Sequence, residues 1–199
     1  AWNGINHHIQ ENGVVVFENN EIIFVGEIFE GQVDSTIDAS GRLIIPGFVN
    51  SHLHLTDTPF TKGHQEDVGN PSGPGKYQNY NALYKMLPSV RKATEPKDQY
   101  AGAENSLAEL LLSGSTTIVE LGYDFEIGGN GDIAITETIA DLIGASGIRC
   151  YTGPRYRTRY YGADTKGGVF YKDYPNGARE RFEACVTFCQ DWNGRYDDR

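Results

Sequence analysis

Two histidines one residue apart, His52 and His54, are the side chains of this chain best placed to do chemistry. They close the run Ile44 to Leu55, I-I-P-G-F-V-N-S-H-L-H-L. An apolar stretch meets a Pro46-Gly47 step, and a second apolar stretch ends in His52-Leu53-His54. On a β-strand, side chains at i and i+2 share a face, with Cα atoms roughly 6.6 Å apart. Neutral imidazole is a common nitrogen ligand of zinc and similar divalent ions. Two rings held on a rigid strand can therefore close on one metal ion with little rearrangement, while Leu53 turns the other way into packing. The alternative is an edge-of-strand pair without metal. Spacing alone does not separate the two, because with five His in 199 residues a chance H-x-H arises in roughly one sequence in eight.

Two further groups bear on chemistry. Glu120 closes the β-branched run Ser115-Thr116-Thr117-Ile118-Val119-Glu120-Leu121. A carboxylate near the end of a strand can hold metal ligands in place from behind, or can simply be solvated or paired within a loop. The stretch from Pro154 to Asn176 interleaves Arg155, Arg157 and Arg159 with Tyr156, Tyr160, Tyr161, Phe170, Tyr171 and Tyr174. Tyr156 could stack on a planar ring, and Arg155 or Arg157 could hold a carboxylate or carbonyl through the guanidinium fork. Loop packing and surface ion pairs are the plain alternative. Cys185 and Cys189 lack a second cluster and read as core thiols. His7, His8, His64, Glu66 and Asp67 read as surface or loop residues. The glycine-rich stretch Gly122–Gly131 lacks the G-x-x-x-x-G-K-[ST] pattern, and Asp124 and Glu126 would repel phosphate.

The elements that must position these residues alternate between strand and helix. Residues 13–26 read as a hairpin about Glu18-Asn19-Asn20-Glu21, since Asn tolerates left-handed turn geometry. Ile37 to Leu43 supplies a second turn ahead of the histidine strand. Thr56 to Tyr80 is a long polar segment rich in Gly and Pro. Pro96 starts a helix with Tyr100, Ala103, Leu107, Leu110 and Leu111 on one face, and Gly114 stops it. Ser115–Leu121 is the next strand. A helix capped by Asp132 follows, with Ile135, Ile139, Leu142 and Ile143 on one face and an end near Gly144. Gly147–Gly153 is a third strand, and Pro154–Asn176 a long loop. A last helix, capped by Asn176, buries Phe182, Cys185, Val186 and Cys189. Such alternation calls for a parallel sheet in an α/β fold.

Composition narrows the partners. A formal net charge of −10 disfavours nucleic acid and anionic membrane surfaces, both of which reward Lys and Arg. No stretch approaches the roughly 20 apolar residues that span a bilayer, and none resembles a signal peptide. Three cysteines argue against a disulfide scaffold, so a cytoplasmic protein with reduced thiols is expected.

An apolar strand that leaves Pro-Gly, passes Phe48 and Val49 and ends in His-x-His resembles the first barrel strand of the amidohydrolase superfamily. The lead-in D-A-S-G-R-L-I-I-P-G-F and the stretch Gly114-Ser115-Thr116-Thr117 are similar to that family as well. The resemblance implies the N-terminal part of a (β/α)8 barrel preceded by a small β-rich, sandwich-like module. Residues 1–45 would belong to that module and 46–199 to the first three βα units. A complete barrel takes about 250 residues, so the chain is expected to be part of a longer enzyme, with the rest of the barrel in the same or another chain.

The resemblance also implies a function. His52 and His54 would bind a divalent metal, zinc foremost with Mn, Fe or Co as alternatives, in a site of one or two ions. In the family, the remaining ligands are histidines of the fifth and sixth strands and an aspartate of the eighth, with a carboxylated lysine on the fourth in two-metal members. These, with the group that shuttles the proton, are expected beyond residue 199. The expected reaction is hydrolysis of a non-peptide C–N bond in a small amide, urea, carbamate or amino-heterocycle, by a homo-oligomeric enzyme. Two other readings stand beside it: a non-catalytic hydantoinase-like scaffold or assembly protein, and a small doubly wound α/β domain.

Overall fold

The computed structural model describes residues 9–56, 58–61, 84, 86–121, 133–154, 158–166, 168–173 and 178–198. The chain is mixed α/β with small sheets, and it divides into two compact units, Ala1–Gly47 and Phe48–Arg199. In the first unit, β1 (Val14–Glu18) and β2 (Glu21–Gly26) form the expected antiparallel hairpin. Asn19 takes φ 55° at its turn, the left-handed conformation that Asn accepts. In the second turn, Asp38 Oδ1 accepts from Ser40 N at 2.9 Å and Ser40 Oγ at 2.6 Å, and these bonds hold the Asp38 carboxyl below its usual range.

The second unit is built on a parallel three-stranded sheet in the order β3 (Phe48–Leu53), β4 (Ser115–Glu120), β5 (Arg149–Tyr151). A single turn, α1 (Thr58–Thr61), and two helices, α2 (Leu87–Ala93) and α3 (Pro96–Leu112), lie between β3 and β4 in sequence. α4 (Ile133–Ser146) leads from β4 to β5. Pro96 opens α3, and Gly114 follows its end at φ 85°, where a side chain would be strained. α4 continues to Ser146, two residues past the expected stop, and Gly147 at φ 79° terminates it.

One core lies between the sheet and these helices. It joins Leu53, Leu55 and Ile118 to Ala103, Leu107 and Leu110 of α3, to Ile139 and Ile143 of α4, and to Ile148. The buried face of α3 differs from the expected one by a small rotation: Gln99 and Ser106 are inside, whereas Leu111 is 44% exposed.

Two expectations for the C-terminal third are corrected. The presumed loop contains an antiparallel hairpin, β6 (Arg159–Ala163) with β7 (Val169–Asp173), fastened at its open end by Arg159 Nε to Asp173 Oδ1 at 2.5 Å. In α5 (Ala178–Trp192) the buried residues are Cys185 and Phe188, whereas Phe182, Val186 and Cys189 are exposed. Phe188 stacks on Trp192, one turn further along the same helix, with ring centroids 5.4 Å apart. Among the described residues, no helix is long and apolar enough to cross a membrane.

Candidate functional site

The histidine pair stands at the C-terminal end of β3. The rings of His52 and His54 have centroids 5.6 Å apart at an interplanar angle of 76°, so both project to one side while Leu53 is buried on the other. The strand is not regular here. Between the Asn50–Ile118 and Leu53–Glu120 pairs, β3 carries one residue more than β4. Such bulges re-aim side chains and are common beside active sites. The Asn50 side chain serves the irregular stretch, its Oδ1 accepting from His52 N at 3.2 Å.

Beyond His54 the backbone is tied down by buried polar groups. Leu55 N donates to Glu120 Oε2 at 2.6 Å, and Leu55 O accepts from Ser106 Oγ at 2.9 Å. Glu120 and Ser106 are each only 4% exposed, and Leu55 is fully buried. On the preceding side, Leu53 O accepts from Leu121 N at 3.0 Å. Glu120 is therefore buried rather than solvated, and its described partner is the amide of Leu55 in the turn that follows β3. Its Oε2 accepts from a backbone amide, the kind of partner that a buried carboxyl group requires.

Cys150 on β5 lies beside Glu120. Burial first, then the neighbouring carboxylate, pushes its thiol up to about 12. A thiol so disposed stays protonated at neutral pH and is a poor nucleophile.

Of the residues singled out from sequence, the structure brings His52 and His54 together and puts Glu120 behind the same strand end. Arg155, Tyr156 and Arg157 lie outside the described residues, as do His64, Glu66 and Asp67. Of the neighbouring aromatics, Tyr161 packs edge-on against Tyr84 at 5.5 Å and lies tilted against Tyr171 at 6.3 Å. Ser106 was missed, although a small polar residue between Ala103 and Leu107 on an apolar helix face is a readable signal. Among the described residues, no group of three or more His, Cys, Asp or Glu converges to hold a metal ion. The pair itself fits such an ion as two nitrogen donors of a larger set, because two imidazoles at the end of one strand leave the other coordination positions open.

No family model matches the chain. Individual proteins do. It is 32% identical to a 5'-deoxyadenosine deaminase of Methanobrevibacter smithii over 138 residues, 69% of this chain and 27% of that protein. A 5-methylthioadenosine/S-adenosylhomocysteine deaminase of Halothermothrix orenii is 24% identical over 98% of this chain and 38% of its own length. An imidazolonepropionase of Streptomyces coelicolor is 30% identical over 56% of this chain and 28% of its own. These are members of one superfamily. By sequence, the chain is an amidohydrolase-superfamily relative. It spans between 24% and 38% of the length of the relatives it matches. The resemblance at His52, His54 and the Gly114–Thr117 stretch is thus matched by similarity along most of the chain to this superfamily's deaminases.

Proposed function

We propose that the protein is a metal-dependent hydrolase that cleaves a non-peptide C–N bond of a small amino-heterocycle, with His52 and His54 as two of its metal ligands. The carrying observation is the ring pair 5.6 Å apart at the C-terminal end of the first parallel strand. The names of the relatives narrow the wider class of amides, ureas and carbamates towards hydrolytic deamination of an adenosine derivative. In such a reaction, water replaces the amino group on a trigonal ring carbon and ammonia leaves.

The three parallel strands are read as the opening strands of a (β/α)8 barrel, whose active sites collect at the C-terminal ends of the strands. His52 and His54 would bind as neutral imidazoles, zinc foremost among Zn, Mn, Fe and Co. Bound there, the ion would lower the pKa of a coordinated water towards roughly 7 and polarise the group under attack. Leu53, buried between the two histidines, anchors the strand so that both rings stay on one side. Arg155, Tyr156 and Arg157 are the candidates for holding the substrate, by guanidinium fork and ring stacking. The rest of the barrel supplies the remaining ligands and the proton shuttle. A cytoplasmic homo-oligomer acting on a small molecule completes this reading.

The test is zinc content and ammonia release from 5'-deoxyadenosine and related nucleosides, with the parent protein and with His52→Ala plus His54→Ala. Loss of both metal and turnover is expected. Turnover retained in the double variant would overturn the assignment, and a parent with neither metal nor turnover when the rest of the barrel is present would favour the scaffold reading.

A further inference from the structure

We infer that Glu120 is a positioning residue for His54, acting through the backbone together with Ser106. The inference rests on His54 being a metal ligand. The α-carbon of His54 is flanked by two planar peptide units, one carrying Leu53 O and the other Leu55 N. Both are held by consecutive residues at the end of β4: Leu53 O by Leu121 N at 3.0 Å, and Leu55 N by Glu120 Oε2 at 2.6 Å. Tying both planes sets φ and ψ of His54 and leaves only its side-chain torsions free. Ser106 Oγ, at 2.9 Å from Leu55 O, holds the next peptide unit from α3.

The Leu121 contact is an ordinary bond of the parallel ladder. The ladder runs out one residue later, and there a side chain takes over. Glu120 is long enough to reach the amide that β4 can no longer serve with its own carbonyl. A carboxylate is costly to bury without such a partner and bonds more strongly than a neutral acceptor. The arrangement therefore carries strand-like rigidity one residue past the strand, to the second histidine. His52 is held separately, through Asn50.

The experiment uses the intact protein and four variants: Glu120→Ala, Glu120→Gln, Ser106→Ala and the double histidine variant. Zinc affinity is read by chelator competition, the visible spectrum of the cobalt(II) form reports ligand geometry, and thermal unfolding is followed in parallel. Groups that orient metal ligands typically contribute 10–100-fold in affinity, so Glu120→Ala should lose about that much and show a changed cobalt spectrum. Glu120→Gln keeps an oxygen acceptor for Leu55 N and should restore binding towards the parent. Ser106→Ala, the milder change, should show a smaller loss, and it carries the test if Glu120→Ala does not fold. Parent affinity and spectrum in Glu120→Ala or, failing that, in Ser106→Ala would overturn the inference, even if the melting temperature falls. Parent affinity in the double histidine variant would instead overturn the ligand reading itself, so the two failures are distinct.

Discussion

Gly102 on α3 sits so close to Thr56 that a Cβ built on it would come within 2.5 Å of the Thr56 carbonyl oxygen. The obstacle is backbone and cannot swing aside. Gly102→Ala should therefore destabilise the protein by about 1–3 kcal/mol through overpacking, although alanine is the better helix former by roughly 1 kcal/mol. Urea denaturation gives the sign directly. A stabilised variant would show that α3 does not seat on the chain just after the histidines.

Metal removal should be reversible in the parent and irrelevant in the double histidine variant. Treatment with a strong chelator is expected to abolish C–N hydrolysis, and zinc should restore it. The His52→Ala plus His54→Ala protein should stay inactive at any zinc concentration. Stoichiometric zinc retained by that variant would count against the pair as ligands.

The three cysteines should react in a fixed order. Cys189 is exposed, Cys185 is buried, and the Cys150 thiol is pushed up to about 12. Alkylation near neutral pH, read by peptide mass, should label Cys189 first and leave Cys150 for last. The same shift has a pH consequence. An unfolded thiol titrates near 9.0 and the folded Cys150 near 12, so between these values unfolding releases a proton. The stabilising contribution is complete below about 9 and shrinks as pH climbs towards 12. Cys150→Ala should flatten that part of the stability curve.

The start of α3 is closed by Asp98, whose Oδ2 accepts from Glu95 N at 2.9 Å. Asp98→Ala should cost about 1 kcal/mol, the usual scale for helix N-terminal capping. Denaturant titration of this variant beside Asp98→Asn, which keeps an acceptor, would separate the hydrogen bond from the charge.

Where local chemistry decides a feature, it was legible in the sequence. Asn19 marks the first hairpin, Pro96 and Gly114 bracket α3, and β-branched residues announce β4. The features that escaped depend on distant partners or lack contrast between two faces. Glu120 and Leu55 are 65 positions apart, and nothing near either residue declares the other. The extra residue of β3 is invisible in F-V-N-S-H-L, because register is a property of the pair of strands. Every residue of β7 is exposed, so no apolar and polar alternation betrays the second hairpin. In α5, Phe182 and Phe188 are equally apolar in sequence, yet one is exposed and the other buried, a difference set by what each faces across the fold rather than by its sequence neighbours.

The hydrogen bonds at Leu55 also bear on how such a chain can change. Leu55 and Ser106 are 51 positions apart, and the histidine end of the intervening segment is secured before that segment begins. The bonds that Leu55 makes with Glu120 and Ser106 involve no residue between α1 and α2, so a change of length there removes neither of them. A lineage could therefore change the length of that stretch and still inherit the bonds that hold the pair of imidazoles.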